Sequence, residues 1–466
     1  MSVKEIFALS MLFVAAAMFP TLAQAAPAGA PAAAITAGEP AFDSRVVVAG
    51  LESPWGMIWG PGGKLWITER QGKRVVEVDP ADGKTAVLLE VPDAKIGPQH
   101  EGLLGLALAP DFDKAGLMYL NYTYLDGDKE LQKIVRYRYD SSAKKLVEPQ
   151  VILAGIPAGS DHNGGRLVFG PDGMLYMSKG ELGHNQGANR CKPNEAQRLP
   201  TEEELKANDL SAYVGKTLRI KPDGGIPDDN PVLNGVRSHV FTLGHRNPQG
   251  LLWIKDQLFG VEHGPSTDDE LNILVSGGNY GWPLIAGYPD DQAYAYIDWS
   301  AVAGCDKIAP DVYIPADQPS VKESSWSRKD FKEPARTFFT MPSDYSFADP
   351  KFGALAYLGW ATIAPSSLDY YPPDGPIEAW RNSIIVSSLK NGALYVLPLS
   401  GDSKQAQGDL AKYFHTANRY RQVLVSPDGR TIYVITDSSG NLVDEKGLPS
   451  QAVKNPGSLL AFTYKG

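Results

Sequence analysis

The stretch SDHNGGRLVFGPDGMLYMSKG, residues 160–180, decides the fold. It reads as a short apolar run, a Gly-Pro-Asp-Gly turn and a second run in which apolar residues alternate. Gly, Pro and Asp supply the backbone conformations a tight turn needs, and alternation suits a pleated strand with one buried face. The phrase predicts a β-hairpin. The histidine ahead of it, His162, is pressed among glycines and is either a loop residue or the base of an enzyme.

The phrase recurs. GPGGKLWITER begins at Gly60 and SPDGRTIYVITD at Ser426, with weaker versions in KDQLFGVEHG from Lys255 and RNSIIVSSLKNGALYVLPL from Arg381. The runs LALAPDF and LMYLNYTY, between Leu106 and Tyr124, add another strand pair. Similar strand-turn units spread over the whole chain predict an all-β protein, and a six-bladed β-propeller of four-stranded antiparallel blades over residues 41–466 fits better than a sandwich. Two long insertions interrupt the pattern. Residues 183–240 contain TEEEL, with Thr201 as a helix N-cap and Glu204 completing a capping box. Residues 286–335 are rich in Tyr, Asp and Pro, and long loops on a rigid scaffold commonly build a site.

Composition bounds the rest. The 47 glycines and 36 prolines among 466 residues favour short strands and turns, and the net charge of −10 excludes a broad nucleic-acid-binding surface. Residues 1–25 read as a cleavable signal, with Lys4 ahead of an apolar run and AQA ending at Ala25. Residues 26–40 form an Ala/Pro-rich lead-in. No later segment is apolar enough to span a bilayer, so an exported protein, periplasmic or secreted, is expected. The cysteines, Cys191 and Cys305, are free to pair in such a compartment, but the sequence does not show that they meet.

Basic residues mark candidate chemistry. GHRNPQGL sets Arg246 and Asn247 in a turn, SLKNG puts Lys390 at a strand end, and NRYRQV carries Arg419 and Arg421. The i, i+2 spacing of that pair places both guanidiniums on one face of a strand. Converging, these groups would make a nest for a ligand with several carboxylates; spacing alone favours separate surface cations, since most charged residues are exposed. STDDE, from Ser266, reads on spacing alone as a solvated turn.

Five segments carry a resemblance: GHRNPQGL, GPSTDDELNILVSGGNYGWPLIAGYPDD, VKESSW, NRYRQVLVSPDG and NPGSLLAFTYKG. Together, and in order from about residue 40 to the C-terminus, they resemble the soluble quinoprotein glucose dehydrogenases, six-bladed propellers that use pyrroloquinoline quinone (PQQ) and calcium. The aldose sugar dehydrogenases are similar more distantly. The resemblance implies a catalytic His162 beside Asp161. It implies that Arg246 and Asn247 hold the quinone oxygens and that Lys390, Arg419, Arg421 and Thr362 contact PQQ. Gly264 and Pro265 match carbonyl ligands of the cofactor calcium. Glu270, Tyr280, Ala286, Tyr288, Asp290 and Glu323 match ligands of further calcium ions, and hard oxygen donors are what calcium prefers.

Departures accompany the match. PQHEGLLG replaces the family's GQNGLLG, so His100 stands for a glutamine at the PQQ edge, and His263 stands for another glutamine before Gly264. The family's local cysteine pair is absent, its segment reading DPKFGALAYLGWAT. The resemblance implies oxidation of an aldose at its anomeric carbon to the lactone, with His162 as base, electrons passing to an external acceptor, and a homodimer. The rival readings are a PQQ enzyme for another aldose, a calcium-dependent lactonase, and a propeller that only binds, because fold alone does not decide activity.

Overall fold

The repeated phrase proves to be the turn between the two inner strands of a blade. In the computed structural model, which describes residues 40–307, 319–345 and 351–466, Gly173 N–H closes the turn on Gly170 O at 2.9 Å, and Gly429 N–H closes the equivalent turn on Ser426 O at 2.8 Å. The signal reading at residues 1–25, nearly all of the lead-in, and residues 308–318 of the second insertion lie outside the described residues.

Six four-stranded antiparallel sheets follow in chain order. Blade 1 holds Pro54–Trp59, Leu65–Glu69, Arg74–Val78 and Thr85–Glu90; blade 2 holds Leu103–Leu108, Leu117–Asp126, Lys129–Asp140 and Lys145–Pro157. Blade 3 comprises Leu167–Phe169, Leu175–Lys179, Lys216–Ile220 and Val240–Leu243, and blade 4 Pro248–Ile254, Gln257–Glu262, Asp269–Leu274 and Arg336–Phe338. Pro365–Tyr371, Ser383–Ser388, Leu394–Pro398 and Ala411–Tyr413 make blade 5. Blade 6 joins the two ends of the propeller: Tyr420–Val425, Thr431–Thr436 and Leu459–Tyr464 are completed on the outside by Phe42–Val48, with Phe42 opposite Tyr464 and Val46 opposite Leu460. The first strands of the blades neighbour one another in cyclic order, so the ring is closed.

Each adjacent pair of blades shares an apolar cluster. Trp66 of blade 1 meets Leu103 and Met118 of blade 2, and Met57 and Ile67 of blade 1 meet Ile435 and Leu459 of blade 6. The core is therefore six wedges between twisted sheets rather than one central mass, which leaves the axis free for polar groups. Arg166 occupies that axis. It is buried, donates to Gln249 O, Gln422 Oε1 and Ser366 O from three other blades, and lies 4.3 Å over the Trp55 ring.

The insertions are stitched together. The predicted capping box forms at the short helix Glu202–Lys206, where Thr201 Oγ1 accepts from Glu204 N–H and Glu204 Oε2 accepts from Thr201 N–H. Cys191 and Cys305, left open by the sequence, form a disulfide across 114 residues with Cα atoms 5.8 Å apart. Among the described residues no helix is long and apolar enough to cross a membrane.

Candidate active site

The chain enters the first strand of each blade and leaves the second at the same end of the ring. The sequence-predicted residues fall at those positions: Arg246 precedes Pro248–Ile254, Arg419 precedes Tyr420–Val425, His263 follows Gln257–Glu262 and Lys390 follows Ser383–Ser388. They line one cavity of about 510 Å³, together with His100, Asp161, His162, Gly264, Pro265, Thr362 and Arg421. Asn247 is the exception among the predicted cofactor contacts. It lies outside the lining, fully buried, with Oδ1 accepting from Gln249 Nε2 at 2.8 Å.

His162 is held rather than loose. Its Nδ1 lies 2.8 Å from Glu181 Oε2 and 3.1 Å from Oε1, so the carboxylate fixes Nδ1 as the protonated nitrogen and leaves Nε2 as the basic one. Glu181 follows the second strand of blade 3 and is fully buried. His162 has φ of +42°, in the left-handed region that non-glycine residues seldom adopt, a strain of about 1 kcal/mol or more that is typical of functional sites. A Cβ at Gly180 would lie 2.2 Å from His162 O, so only glycine lets the strand end close on the histidine loop. Asp161 Oδ1 sits 3.5 Å from both His162 Nε2 and His100 Nε2. Burial raises the Asp161 carboxyl, but His162, His100 and Arg246 outweigh it and hold it at about 2. Burial depresses His100 to about 4 and His263 well below the ordinary histidine range, so both are neutral at pH 7.

The cations converge as the i, i+2 spacing requires. Arg421 donates from Nε and Nη2 to the two oxygens of Asp437 at 2.8 Å each, and Arg419 Nε approaches the same carboxylate at 3.3 Å. Lys390 Nζ donates to Trp360 O at 2.6 Å and to Thr362 Oγ1 at 3.0 Å. Burial pulls the Lys390 ammonium down to about 7, and Asp269 pulls against it. Arg246 donates from Nε and Nη2 to Gln186 Oε1, and its backbone N–H reaches Glu262 Oε2 at 2.9 Å. Arg70 adds a fifth cationic side chain to the lining, where the carboxylates among the described residues are those of Asp161, Asp269 and Asp437.

Asp269 organises two loops. Its oxygens accept from the backbone N–H groups of Gly264 at 2.9 Å, Ile363 at 2.6 Å and Ala364 at 2.8 Å. STDDE is thus a buried brace and not a solvated turn. At Gly264 a Cβ would meet Thr267 O at 1.9 Å, so the loop folds onto itself only because that residue is glycine.

The remaining predicted metal residues do not reach this cavity. Outside its lining, Glu270 Oε1 accepts from Gly287 N–H at 2.7 Å, and Glu323 accepts from Ala286 N–H at 2.8 Å and Asp291 N–H at 3.1 Å. Burial, with Asp290 and Asp268 nearby, lifts Glu323 to about 8; burial and Glu262 raise Glu270, and burial raises Asp290 and Tyr288. Tyr280 is buried, its hydroxyl bonded to Ile273 O and Val275 N–H. Among the described residues no three His, Cys, Asp or Glu side chains are grouped to hold a metal ion, so any cation there relies on backbone oxygens as well.

Sequence reasoning missed Glu181, Gln186, Asp437, Asp269 and Arg70. The carboxylates stand just past or within strands whose patterns carry no sign of a distant partner. Their one legible signal is a lone charge or amide at the end of a buried strand.

A closed propeller with a buried imidazole–carboxylate pair opening onto a surplus of cationic side chains defines a β-propeller protein with a candidate active site at one end of the ring. Comparison narrows the class: a sequence profile of "Glucose / Sorbosone dehydrogenase" matches residues 51–303 and 344–444, and the chain belongs to that family. It is 42% identical over 436 residues to quinoprotein glucose dehydrogenase B of Acinetobacter calcoaceticus, covering 91% of each chain. It is 28% identical over 408 residues to an aldose sugar dehydrogenase of Escherichia coli, covering 84% of this chain and 90% of that protein. In structure it resembles the PQQ-bound aldose sugar dehydrogenase of Streptomyces coelicolor, with a TM-score of 0.61, 27% identity and coverage of 91% of this chain and 99% of the other.

Proposed function

We propose that residues 41–466 form a single catalytic domain that oxidises glucose or a related aldose at its anomeric carbon to the lactone, using PQQ and calcium. The observation that carries the reading is the shared cavity: His162, fixed by Glu181, opens onto the same space as Arg70, Arg246, Lys390, Arg419 and Arg421. The residues suit an anionic cofactor. Beyond the excess of cations, the buried Nε2 of His263, which lines the cavity, has no hydrogen-bond partner among the described residues. Buried polar groups are normally satisfied, and an orphan donor beside a cavity is one a ligand can complete. For calcium, the donor set is chemically apt: the Gly264–Pro265 backbone at the cavity, and outside its lining the buried Glu270 and Glu323 carboxylates and the exposed Asp290, all three raised above the usual carboxylate range.

When bound, PQQ supplies the acceptor of two electrons and calcium supplies Lewis acidity. The chain's own part is then clear. His162 takes the proton of the anomeric hydroxyl at Nε2, and the imidazolium formed is stabilised by Glu181 at Nδ1. Arg246 offsets negative charge developing on the far side of the cavity. Lys390, Arg419 and Arg421 grip carboxylates, and the buried walls exclude water. The lactonase reading needs a metal-bound water and has no use for five cations. A different aldose remains the second reading, supported by His100, which lines the cavity beside Asp161.

Export to the periplasm or medium, an external electron acceptor and a homodimer complete the proposal. Assaying a panel of sugars against an artificial electron acceptor, with and without PQQ, tests it. PQQ-dependent oxidation with glucose or a close aldose ahead supports the reading, and no PQQ-dependent oxidation of any aldose overturns it.

A further inference from the structure

We infer that Gln186 is a positioning residue that ties the base His162 to the cation Arg246, an inference that rests on the role proposed above for His162. The Glu181 carboxylate takes three donors: His162 Nδ1 at 2.8 Å, Gln186 Nε2 at 2.6 Å and the Gly183 backbone N–H at 3.0 Å. The other end of the same amide, Gln186 Oε1, accepts both Nε and Nη2 of Arg246, at 2.9 and 2.6 Å. Imidazole, carboxylate, amide and guanidinium thus form one continuous chain of hydrogen bonds across the cavity wall.

The amide is oriented by chemistry, because only its NH2 can donate to a carboxylate and only its carbonyl can accept from a guanidinium. Its place between the two charges has a consequence. A direct Glu181–Arg246 ion pair would turn the guanidinium toward Glu181 and spend its charge there. The neutral amide fixes the plane of Arg246 without that pairing, and Glu181 stays committed to His162. Arg246 keeps a third anchor, Nη1 to His263 O at 3.3 Å, and lies 5.5 Å over the Trp282 ring.

Gln186 is itself held where the two insertions meet. Its neighbour Asn185 donates from Nδ2 to Ile297 O at 2.7 Å and accepts Trp299 N–H at 2.8 Å on Oδ1. The disulfide at Cys191 clips the same insertion to Cys305 a few residues on. A relay pinned at both ends holds the base and the cation at one separation, and misplacement of about 1 Å costs catalysis dearly.

The test uses the full chain without cofactor, labelled with ¹⁵N-histidine, and reads the His162 ring by NMR, its signal assigned by loss in His162→Ala. Gln186→Met keeps the bulk and removes both bonds; Gln186→Glu keeps an acceptor for Arg246 and removes the donor to Glu181. In both variants the His162 Nδ1–H signal shifts or broadens. In the PQQ- and calcium-loaded enzyme Gln186→Met lowers kcat about tenfold or more while KM stays within about twofold. A His162 signal unmoved in both variants overturns the relay whatever the activity does. Wild-type protein that oxidises no sugar, with the signal moved in the variants, counts against the proposed function and leaves the relay standing.

Discussion

Arg421 grips both oxygens of Asp437 at 2.8 Å each, and Arg419 leans on the same carboxylate at 3.3 Å. One buried anion therefore holds two like charges side by side. Burial and mutual repulsion depress Arg419, with Asp437 as the opposing pull; Asp437 itself lies below the usual range because the two guanidiniums outweigh its burial. Asp437→Asn keeps the shape and removes the charge. The pair then splays, and PQQ affinity, followed by absorbance titration, falls about tenfold or more, in line with loss of one partner from a buried charge network. Unchanged affinity would detach Asp437 from cofactor binding.

Lys390 gives the pH dependence. Its folded value, about 7, lies below the ordinary 10.5 because burial disfavours the ammonium. An anion binds the protonated form, which the free protein holds below about pH 7 and sheds above it. PQQ affinity is therefore full on the acid side and declines as pH rises from about 7, by at most about tenfold per unit. The same group makes the cofactor-free fold gain stability between about pH 7 and 10.5, where the unfolded chain binds more protons than the folded one. Lys390→Met binds PQQ more weakly at pH 6.5 and loses this slope. A wild-type affinity that is flat or rises from pH 7 to 9 contradicts the assignment.

Removal of divalent cations with a chelator abolishes sugar oxidation, and PQQ with calcium restores it. Magnesium restores less, because it demands near-octahedral geometry and gives up water reluctantly. A preparation shown by elemental analysis to be metal-free, yet fully active with PQQ, speaks against calcium.

The disulfide joins the two insertions across 114 residues. Replacing both cysteines with serine lowers stability by about 2–4 kcal/mol, read from denaturant unfolding under oxidising conditions. The loss also reaches the site, because the clipped insertion carries Gln186. A variant matching the wild type in both stability and turnover would make the link ornamental.

Much of the fold was legible because turn chemistry is local. Gly173 and Gly429 announce hairpins within four residues, and the alternating runs beside them identify the inner strands. Closure of the ring was not, since Phe42–Val48 meets Leu459–Tyr464 from the other end of the chain and nothing local distinguishes an outermost strand. The cationic side of the site could be read because Arg419 and Arg421 share a face by spacing alone. Their anion could not: Asp437 closes the SPDG hairpin, where it resembles any polar residue after a strand. Glu181 and Gln186 were hidden similarly, just past the stretch that pointed to His162. STDDE misled because a carboxylate bonded to three backbone N–H groups has the same letters as one in solvent.

The role proposed for His162 is to take a sugar proton in a cavity that holds PQQ. It is tested most directly by mixing glucose anaerobically, without an added acceptor, with protein loaded with PQQ and calcium, and following the cofactor spectrum by stopped flow. Conversion to the reduced spectrum is expected to be rapid in the wild type and about a hundredfold or more slower in His162→Ala, with PQQ still bound in both. Equal rates in the two proteins, or a wild-type spectrum that no aldose changes, would contradict it.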